Sequence, residues 1–186
     1  KSNGTAAGTT LVKDINQSST ASSYPFGFTT TPNNKIVFGA QDKNNGNSLW
    51  STDGPTAVPK LVKNINAYLF TKFQNKIYFI SNDNTGIHLW KTNGTAAGTT
   101  QISIPGFVDA GGYVYNMVAT DNLLYIVVYS SLSNQYVLWR SDGTVPNTYI
   151  LKSDIPAFFN LNLTPLGNTL FFTNYDDFNG EELWKT

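Results

Sequence analysis

One phrase, a Leu-Trp pair followed by an Asn-Gly or Asp-Gly turn, occurs four times in the chain. Its clearest copy runs from Leu89 to Thr100. The other copies begin at Leu49-Trp50, at Leu138-Trp139 and at Leu183-Trp184, the last being continued by Asn3-Gly4 at the start of the chain. The successive Trp residues are 40, 49 and 45 positions apart. A repeat of about 40 to 50 residues is typical of a four-stranded propeller blade.

Each repeat contains four short segments with the composition of β-strands, which we call strands A to D in chain order. Asn and Gly separate A from B, and both tolerate the positive φ that two-residue hairpin turns need. Strand B is almost continuously apolar, which predicts burial on both of its faces. Strand C carries the Leu-Trp pair. The predicted ranges are 26–30, 69–73, 115–118 and 161–164 for A, 35–38, 76–80, 123–128 and 169–172 for B, and 10–15, 60–65, 100–104 and 149–152 for D.

The first D strand stands alone at the N-terminus, whereas the last A–B–C set has no D strand of its own. Pairing residues 10–15 with residues 183–185 would solve both problems. The sequence therefore predicts one all-β domain over 1–186, a four-bladed β-propeller of four-stranded antiparallel blades closed by the N-terminal strand. Its repeats are about 46 residues long, and the last is divided between 157–186 and 1–15. Exchange of the N-terminal strand between two chains is an alternative way to close the ring.

Composition narrows the classes of function. The 186 residues include 12 basic and 12 acidic side chains, so a neutral chain lacks the clustered Lys and Arg that nucleic acids and anionic lipids require. No apolar run reaches the roughly 20 residues that span a bilayer. Cysteine is absent, which excludes disulfides and thiolate metal sites. The abundance of Asn, Thr and aromatic residues favours a secreted or cell-surface protein, and the start at Lys1 suggests a mature or excised form.

The divided phrase resembles a known repeat. Glu182-Leu183-Trp184-Lys185-Thr186, continued by Asn3-Gly4-Thr5-Ala6-Ala7-Gly8-Thr9, is similar to the ELWxxDGTxxGT repeat of large secreted and surface proteins of bacteria. The resemblance covers all four repeats and implies a propeller-like extracellular module without implying a particular ligand. Two repeats depart from the pattern, with Pro55 and Val58-Pro59 in the second and Asn147-Thr148 in the third.

Aromatic residues cluster in the D–A connections, which by strand alternation lie on the same face of the ring as the B–C loops. Aromatic rings mixed with Asp, Asn and Ser suit a site for a sugar or a peptide. The other interpretation is that these rings fill a narrow central channel. The candidate ligand-binding residues are Tyr24, Phe26, Tyr68, Tyr113, Tyr115 and Phe158 in the connections and Asp42, Asp83, Asp176 and Asp177 in the B–C loops.

The four Trp residues also have two interpretations. An indole offers an apolar face and an N–H donor, which suits stacking on a sugar ring. A Trp that recurs once per repeat on strand C is more simply explained as core between neighbouring blades. We therefore assign a structural role to Trp50, Trp90, Trp139 and Trp184.

Metal binding and catalysis have little support. The B–C loops offer oxygen ligands of the kind that calcium binds, best at Asp176-Asp177, although turns favour the same residues. We expect no cofactor other than calcium at such a loop. His88 is the only histidine, so a Ser-His-Asp triad would have to use it. The sequence does not identify two carboxylates as the acid and base, or acid and nucleophile, of a glycosidase.

These observations predict a secreted, non-enzymatic binding module, most simply a lectin or adhesin whose partner is a glycan or another cell-surface ligand. Nucleic acid and membrane insertion are not expected, and oligomerisation stays open. The first alternative is a structural or protein-interaction domain of a larger cell-surface protein. The second is a hydrolase that acts on glycans.

Overall fold

A computed structural model describes residues 1–18, 21–54, 56–108, 111–157 and 161–186. These residues form strands and no helix, which confirms the all-β prediction, and none of them belongs to a helix able to cross a membrane. The strands are β1 (Phe26–Thr30), β2 (Ile36–Asp42), β3 (Gly46–Thr52), β4 (Lys60–Lys63), β5 (Ala67–Phe73), β6 (Lys76–Asp83), β7 (Gly86–Thr92), β8 (Thr100–Ile102), β9 (Tyr113–Ala119), β10 (Leu124–Ser130), β11 (Gln135–Ser141), β12 (Tyr149–Pro156), β13 (Thr164–Leu166), β14 (Thr169–Asp176) and β15 (Gly180–Lys185).

The strands assemble into four sheets in which neighbours in sequence are neighbours in space. Strands β1–β4, β5–β8 and β9–β12 form four-stranded sheets, and β13–β15 form a three-stranded sheet. The hydrogen-bonded strand pairs whose register is defined are antiparallel. The chain divides into two compact units, residues 1–83 with 90–100, and residues 84–89 with 101–186.

The second strand of each sheet is its apolar centre, as the sequence predicts. Phe38 lies opposite Trp50, Ile126 opposite Trp139, and Phe172 opposite Trp184 across the central hairpins. In the first unit the core includes Val37, Leu49, Ile77, Phe79 and Trp90, and in the second it includes Tyr125, Val127, Leu138, Leu170 and Phe172. Trp50, Trp90 and Trp139 are buried and Trp184 is half-buried, which favours a core role over ligand stacking.

The turn after the Leu-Trp pair is built by side chains of the repeated phrase. The Asn93 side-chain oxygen accepts hydrogen bonds from the amide and the hydroxyl of Thr95, at 3.0 and 2.8 Å. The Thr95 hydroxyl accepts one from the amide of Gly98, and Thr99 donates to the Thr95 carbonyl oxygen. Gly94 has a φ of +85°, a conformation that glycine adopts at little cost.

The same turn forms at the N-terminus. The Asn3 side-chain oxygen accepts hydrogen bonds from the Thr5 amide and hydroxyl, and the Thr5 hydroxyl accepts one from the Gly8 amide. The backbones of Lys1 and Thr10 exchange two further hydrogen bonds. The phrase therefore folds locally, without the strand that precedes it in the other repeats.

The predicted closing strand is not formed. Residues 10–15 belong to no strand, and the sheet that contains Trp184 has three strands. Side chains fix the segment instead. The Lys13 ammonium donates to the Pro59 carbonyl oxygen at 2.9 Å and lies 5.0 Å from the centre of the Trp50 ring, while Ile15 packs on the cluster of Phe38, Ala40 and Trp50. These contacts dock the segment on the first sheet without a backbone register, so the prediction of pairing with residues 183–185 is wrong for this structure.

Four of the six aromatic residues assigned to D–A connections lie in strands. Phe26 begins β1, Tyr68 is in β5, and Tyr113 and Tyr115 are in β9. The pairing register shifts near the start of each of these strands, between Phe26 and Thr29, between Tyr68 and Thr71, and beside Tyr115. A bulge interrupts the two-residue alternation that marks a strand in sequence, which explains why β5 and β9 begin before the predicted ranges 69–73 and 115–118. Strand β1 matches its predicted range, 26–30.

Candidate functional site

A row of tyrosines crosses the third sheet. Tyr113 in β9 lies directly opposite Tyr129 in β10, and Tyr129 lies directly opposite Tyr136 in β11. Residues paired across strands share one face of a sheet, so the three rings stand side by side. Tyr115 is added to the row by the bulge, because Val114 and Asn116 pair with adjacent residues of β10 and leave Tyr115 between them.

The four rings pack on one another. The Tyr113 and Tyr129 rings are stacked with centroids 4.9 Å apart, and the Tyr115 and Tyr136 rings are tilted at 4.8 Å. Tyr129 and Tyr136 meet edge to face at 6.0 Å. Tyr113 is 45% exposed and Tyr115 36%, whereas Tyr136 is buried. The row therefore combines the buried ring of Tyr136 with the solvent-exposed rings of Tyr113 and Tyr115.

A cavity of about 390 Å³ opens on this row, and we call it the tyrosine pocket. It is lined by Tyr113, Tyr129, Asn134, Tyr136 and Ala157. The Tyr129 hydroxyl donates a hydrogen bond of 2.8 Å to the side-chain oxygen of Asn134, which orients the amide at the edge of the pocket. Asn134 has a φ of +55°, a backbone conformation that Asn tolerates better than most residues.

The electrostatics of the tyrosine pocket are those of neutral phenols. Burial, followed by a hydrogen bond with Tyr113 and the neighbouring phenols, raises the pKa of Tyr136 to about 12. Tyr136 is therefore protonated at neutral pH. The pocket offers aromatic faces, a hydroxyl and an amide rather than charge.

A second cavity, of about 620 Å³, shares Asn134 with the tyrosine pocket, and we call it the acidic pocket. Trp184 and Phe178 contribute aromatic surface, and Phe178 is 97% exposed. The Lys152 ammonium lies 5.2 Å from the centre of the Trp184 ring. The other lining residues are Ser133, Gln135, Asp154, Pro156, Asn174, Tyr175, Asp176 and Asp177.

The carboxylates of Asp42 and Asp176 accept hydrogen bonds within the hairpin turns that contain them. Asp176 accepts hydrogen bonds from the amides of Phe178 and Asn179 and from the Asn179 side chain, and this last bond is the main reason that its pKa is lowered. At Asp42 burial opposes ionisation, but hydrogen bonds from Asn45 and Asn44 outweigh it and lower the pKa. These bonds favour a turn-forming role for both residues, and Asp177 is the second carboxylate of the Asp176 turn.

The remaining predicted residues do not join the tyrosine row. Tyr24 is exposed with a φ of +40°, and Tyr68 is half-buried, which raises its pKa. Phe26 lies against Gly39, where an added Cβ would be 2.5 Å from its ring, and packs on Phe70 at 6.4 Å. Asp83 lines a separate pocket of the first unit, and Phe158 lies outside the described residues.

Sequence reasoning missed Tyr129, Asn134 and Tyr136. Tyr129 and Tyr136 flank the third B–C loop and Asn134 lies in it, but their alignment with Tyr113 depends on a register that the bulge in β9 shifts. The available signal was a tyrosine at the end of strand B and another at the start of strand C.

Two further observations concern chemistry. Among the described residues, no group of three or more His, Asp or Glu side chains is placed to hold a metal ion.

The His88 ring contacts the Thr85 hydroxyl at 2.9 Å through Nε2 and the Gln101 amide at 3.0 Å through Nδ1. Both ring nitrogens are engaged by neighbours on the same sheet, which favours a structural role for His88.

The chain resembles several solved structures in fold. Over 89% of its length it matches the β-propeller domain of the Trilobed protease from Pyrococcus furiosus, with a TM-score of 0.60 and 9% identity. The fold is a β-propeller. A puromycin hydrolase matches with a TM-score of 0.60 and 13% identity over 89% of this chain, and the GH74 xyloglucanase of Xanthomonas campestris with 0.54 and 16% over 81%.

These matches concern only part of each known protein. The propeller spans 55% of the Trilobed protease domain structure, 27% of the puromycin hydrolase and 25% of the xyloglucanase. No family model and no curated protein sequence matches the chain. At such identities the likeness shows a shared fold, and propellers carry unrelated functions.

Proposed function

We propose that this propeller is a glycan-binding module, a lectin or adhesin without catalytic activity, and that the tyrosine pocket is its main site. The observation that carries the proposal is the row of Tyr113, Tyr129 and Tyr136 beside the oriented amide of Asn134. Rigid aromatic faces next to neutral polar groups match the two surfaces of a sugar ring, its apolar C–H face and its hydroxyl edge.

The arrangement favours an uncharged or weakly charged sugar. Tyr113 and Tyr115 present ring surface at the mouth of the row, and Asn134 is both a donor and an acceptor. The acidic pocket continues from Asn134, so a chain of two or more sugar units could lie across both pockets, with a second ring near the exposed Phe178. A glycan ligand agrees with the secreted or cell-surface location that the composition suggests.

A second candidate is a structural or protein-interaction domain of a larger surface protein. It is favoured by the matches themselves, since the similar structures contain much more chain than this propeller. An enzyme that acts on glycans is the third candidate. The hairpin hydrogen bonds of Asp42 and Asp176 weigh against their use as a catalytic pair.

We also propose that the four sheets are four blades of one propeller, as the repeat predicts. One contact recurs at the same repeat position, twice between consecutive sheets of one unit and once between the N-terminal segment and the first sheet. Lys13 lies over Trp50, Lys63 over Trp90 at 5.4 Å, and Lys152 over Trp184. A common contact at the same repeat position supports a common packing of neighbours. An experimental structure with any other number of blades would refute this count.

The test of glycan binding is a glycan array followed by titration of the best hit against two matched variants. Tyr113→Ala removes an exposed ring of the pocket and should weaken binding about fivefold, because stacked aromatic contacts contribute about 1 kcal/mol. Tyr149→Ala is the control. Tyr149 is also 45% exposed but packs on Arg140 outside the pocket, so affinity should be unchanged.

Two outcomes would contradict the proposal. The first is that multimeric wild-type protein retains no glycan on the array. The second is that titration shows an equal loss of affinity in both variants. Capture of protein partners without any glycan would support the second candidate, and turnover of an array glycan would support the third.

A further inference from the structure

A third cavity lies in the first compact unit, apart from the tyrosine and acidic pockets. Its volume is about 370 Å³, within the range of about 300 to 1,000 Å³ that small-molecule sites occupy. Side chains with amides dominate its lining, and we call it the amide pocket. The lining residues are Asn45, Asn47, Asn64, Ile65, Asn66, Ser81, Asn82 and Asp83.

Two of these amides are fixed by hydrogen bonds. Asn64 donates to the side-chain oxygen of Asn45 at 3.1 Å and accepts from the Ser48 hydroxyl at 3.3 Å. Asn45 in turn donates to Asp42. One wall of the pocket is therefore held in a defined orientation before any ligand enters.

Ser81 provides the observation that points to a ligand. Its side chain is 1% exposed and lines the pocket, and within the described part of the chain its hydroxyl has no hydrogen-bond partner. Buried hydroxyls are nearly always paired, because a lost hydrogen bond to water is not otherwise replaced. A ligand hydroxyl or a bound water at this point would supply the missing partner.

The same position is polar in one other repeat. Ser81 is the sixth residue of β6 (Lys76–Asp83), two before Asp83, and Asn174 occupies the same place in β14, two before Asp176. Asn174 lines the acidic pocket, is 2% exposed, and has an unpaired side-chain oxygen among the described residues. In the other two sheets the position holds Ala40 and Val128. Polar groups thus occur at this buried position in β6 and β14, and each of them lines a cavity.

We propose that the amide pocket binds an uncharged polyhydroxylated ligand, a single saccharide ring or a polyol, with the Ser81 hydroxyl as its buried contact. Amides donate and accept hydrogen bonds at once, as vicinal hydroxyls do, and none of the described residues that line the pocket is basic. The ligand class rests on the proposed glycan-binding function, but the site is separate from the tyrosine pocket.

The test follows the Asn side-chain NH₂ resonances by ¹H–¹⁵N NMR while glucose, galactose, mannose, N-acetylglucosamine and glycerol are added in turn. At least one of these should shift the signals of Asn45, Asn47 and Asn64. Ser81→Val, which copies the residue of the third sheet, should weaken that binding about tenfold or more by filling the space and removing the hydroxyl. Ser81→Ala copies the first sheet and serves if the valine variant does not fold.

Tyr113→Ala separates this inference from the main proposal. It should leave binding at the amide pocket intact, whereas Ser81→Val should leave binding at the tyrosine pocket intact. No shift with any of the five compounds would overturn the inference, as would equal affinity in wild type and the Ser81 variants. Saturable shifts with calcium in place of the sugars would also overturn it.

Discussion

At the scale of single residues, the most informative position is the first residue of the repeated turn. It is Asn3 at the N-terminus, Asn93 in the second sheet and Asp142 in the third, and its side-chain oxygen accepts from a Thr two residues later in all three. The neutral amide and the charged carboxylate therefore form the same turn. They differ in how the turn responds to pH.

Asp142→Asn tests that difference. Hydrogen bonds from Thr144 lower the pKa of Asp142, with a further contribution from Asn147. A lowered pKa means that the stabilisation is complete above the unfolded value of 3.8 and is lost as the pH falls through the lower folded value. We expect the variant to lose less stability than wild type on acidification below pH 3.8. Urea unfolding at several acidic pH values measures this, and identical slopes would contradict it.

Tyr136 should show the opposite pH dependence. Because burial raises its pKa to about 12, the stabilisation is complete below the unfolded value of 10.0 and is lost as the pH rises from there towards 12. Ultraviolet titration of the wild type should show a phenol ionisation at about pH 12, and Tyr136→Phe should remove that step. Its persistence in the variant would assign the late phenol to another tyrosine.

At the scale of elements, the second strand of each sheet determines stability. Ile77 in β6 is fully buried among Val37, Leu49 and Phe79. Ile77→Ala should lower the free energy of unfolding by about 2 to 5 kcal/mol, because it leaves a cavity in a packed core. Denaturant unfolding measures the loss. Leu166→Ala in β13, where the side chain is 69% exposed, is the control and should cost less than about 0.5 kcal/mol.

The sequence predicted the positions of the central strands more accurately than it predicted the candidate site. Continuous apolar runs and Asn or Gly turns located the central hairpins, as at β6 and β7, because both signals are local. Strands β5 and β9, each with a bulge near its start, began two residues earlier than predicted, whereas β1 began at the predicted Phe26 despite its bulge. The candidate site was recovered in part. Tyr113 and Tyr115 were predicted, but Tyr129 and Tyr136 join them only through cross-strand register.

The N-terminal segment shows the limit of the repeat argument. Residues 10–15 have the sequence of a fourth strand, and Lys13 and Ile15 contact the first sheet as Lys63 and Ile65 contact the second. Side-chain docking of this kind is satisfied without backbone pairing. The repeat therefore recurs in these side-chain contacts and not in the hydrogen bonds of the strand.

At the scale of the whole molecule, the balance of 12 basic and 12 acidic residues makes a prediction about binding. If the ligand is an uncharged glycan, affinity should change less than about twofold between roughly 0.05 and 0.5 M NaCl, since salt screens only interactions between charges. Calorimetric titration across this range provides the measurement. A steep fall in affinity with salt would indicate a charged ligand and would direct attention to Lys152 and Asp177 in the acidic pocket.

The three-stranded sheet has a consequence for the behaviour of the protein in solution. Strand β15 is the outer strand of that sheet, and Leu183 on it is 70% exposed. The N–H and C=O groups on the outer side of an edge strand can form backbone hydrogen bonds with a strand of another molecule. Glu181, Glu182 and Lys185 place three charges along the same short strand. Charged side chains on an edge strand oppose such pairing, so we expect the colloidal stability of concentrated samples to depend on these three residues more than the stability of the fold does.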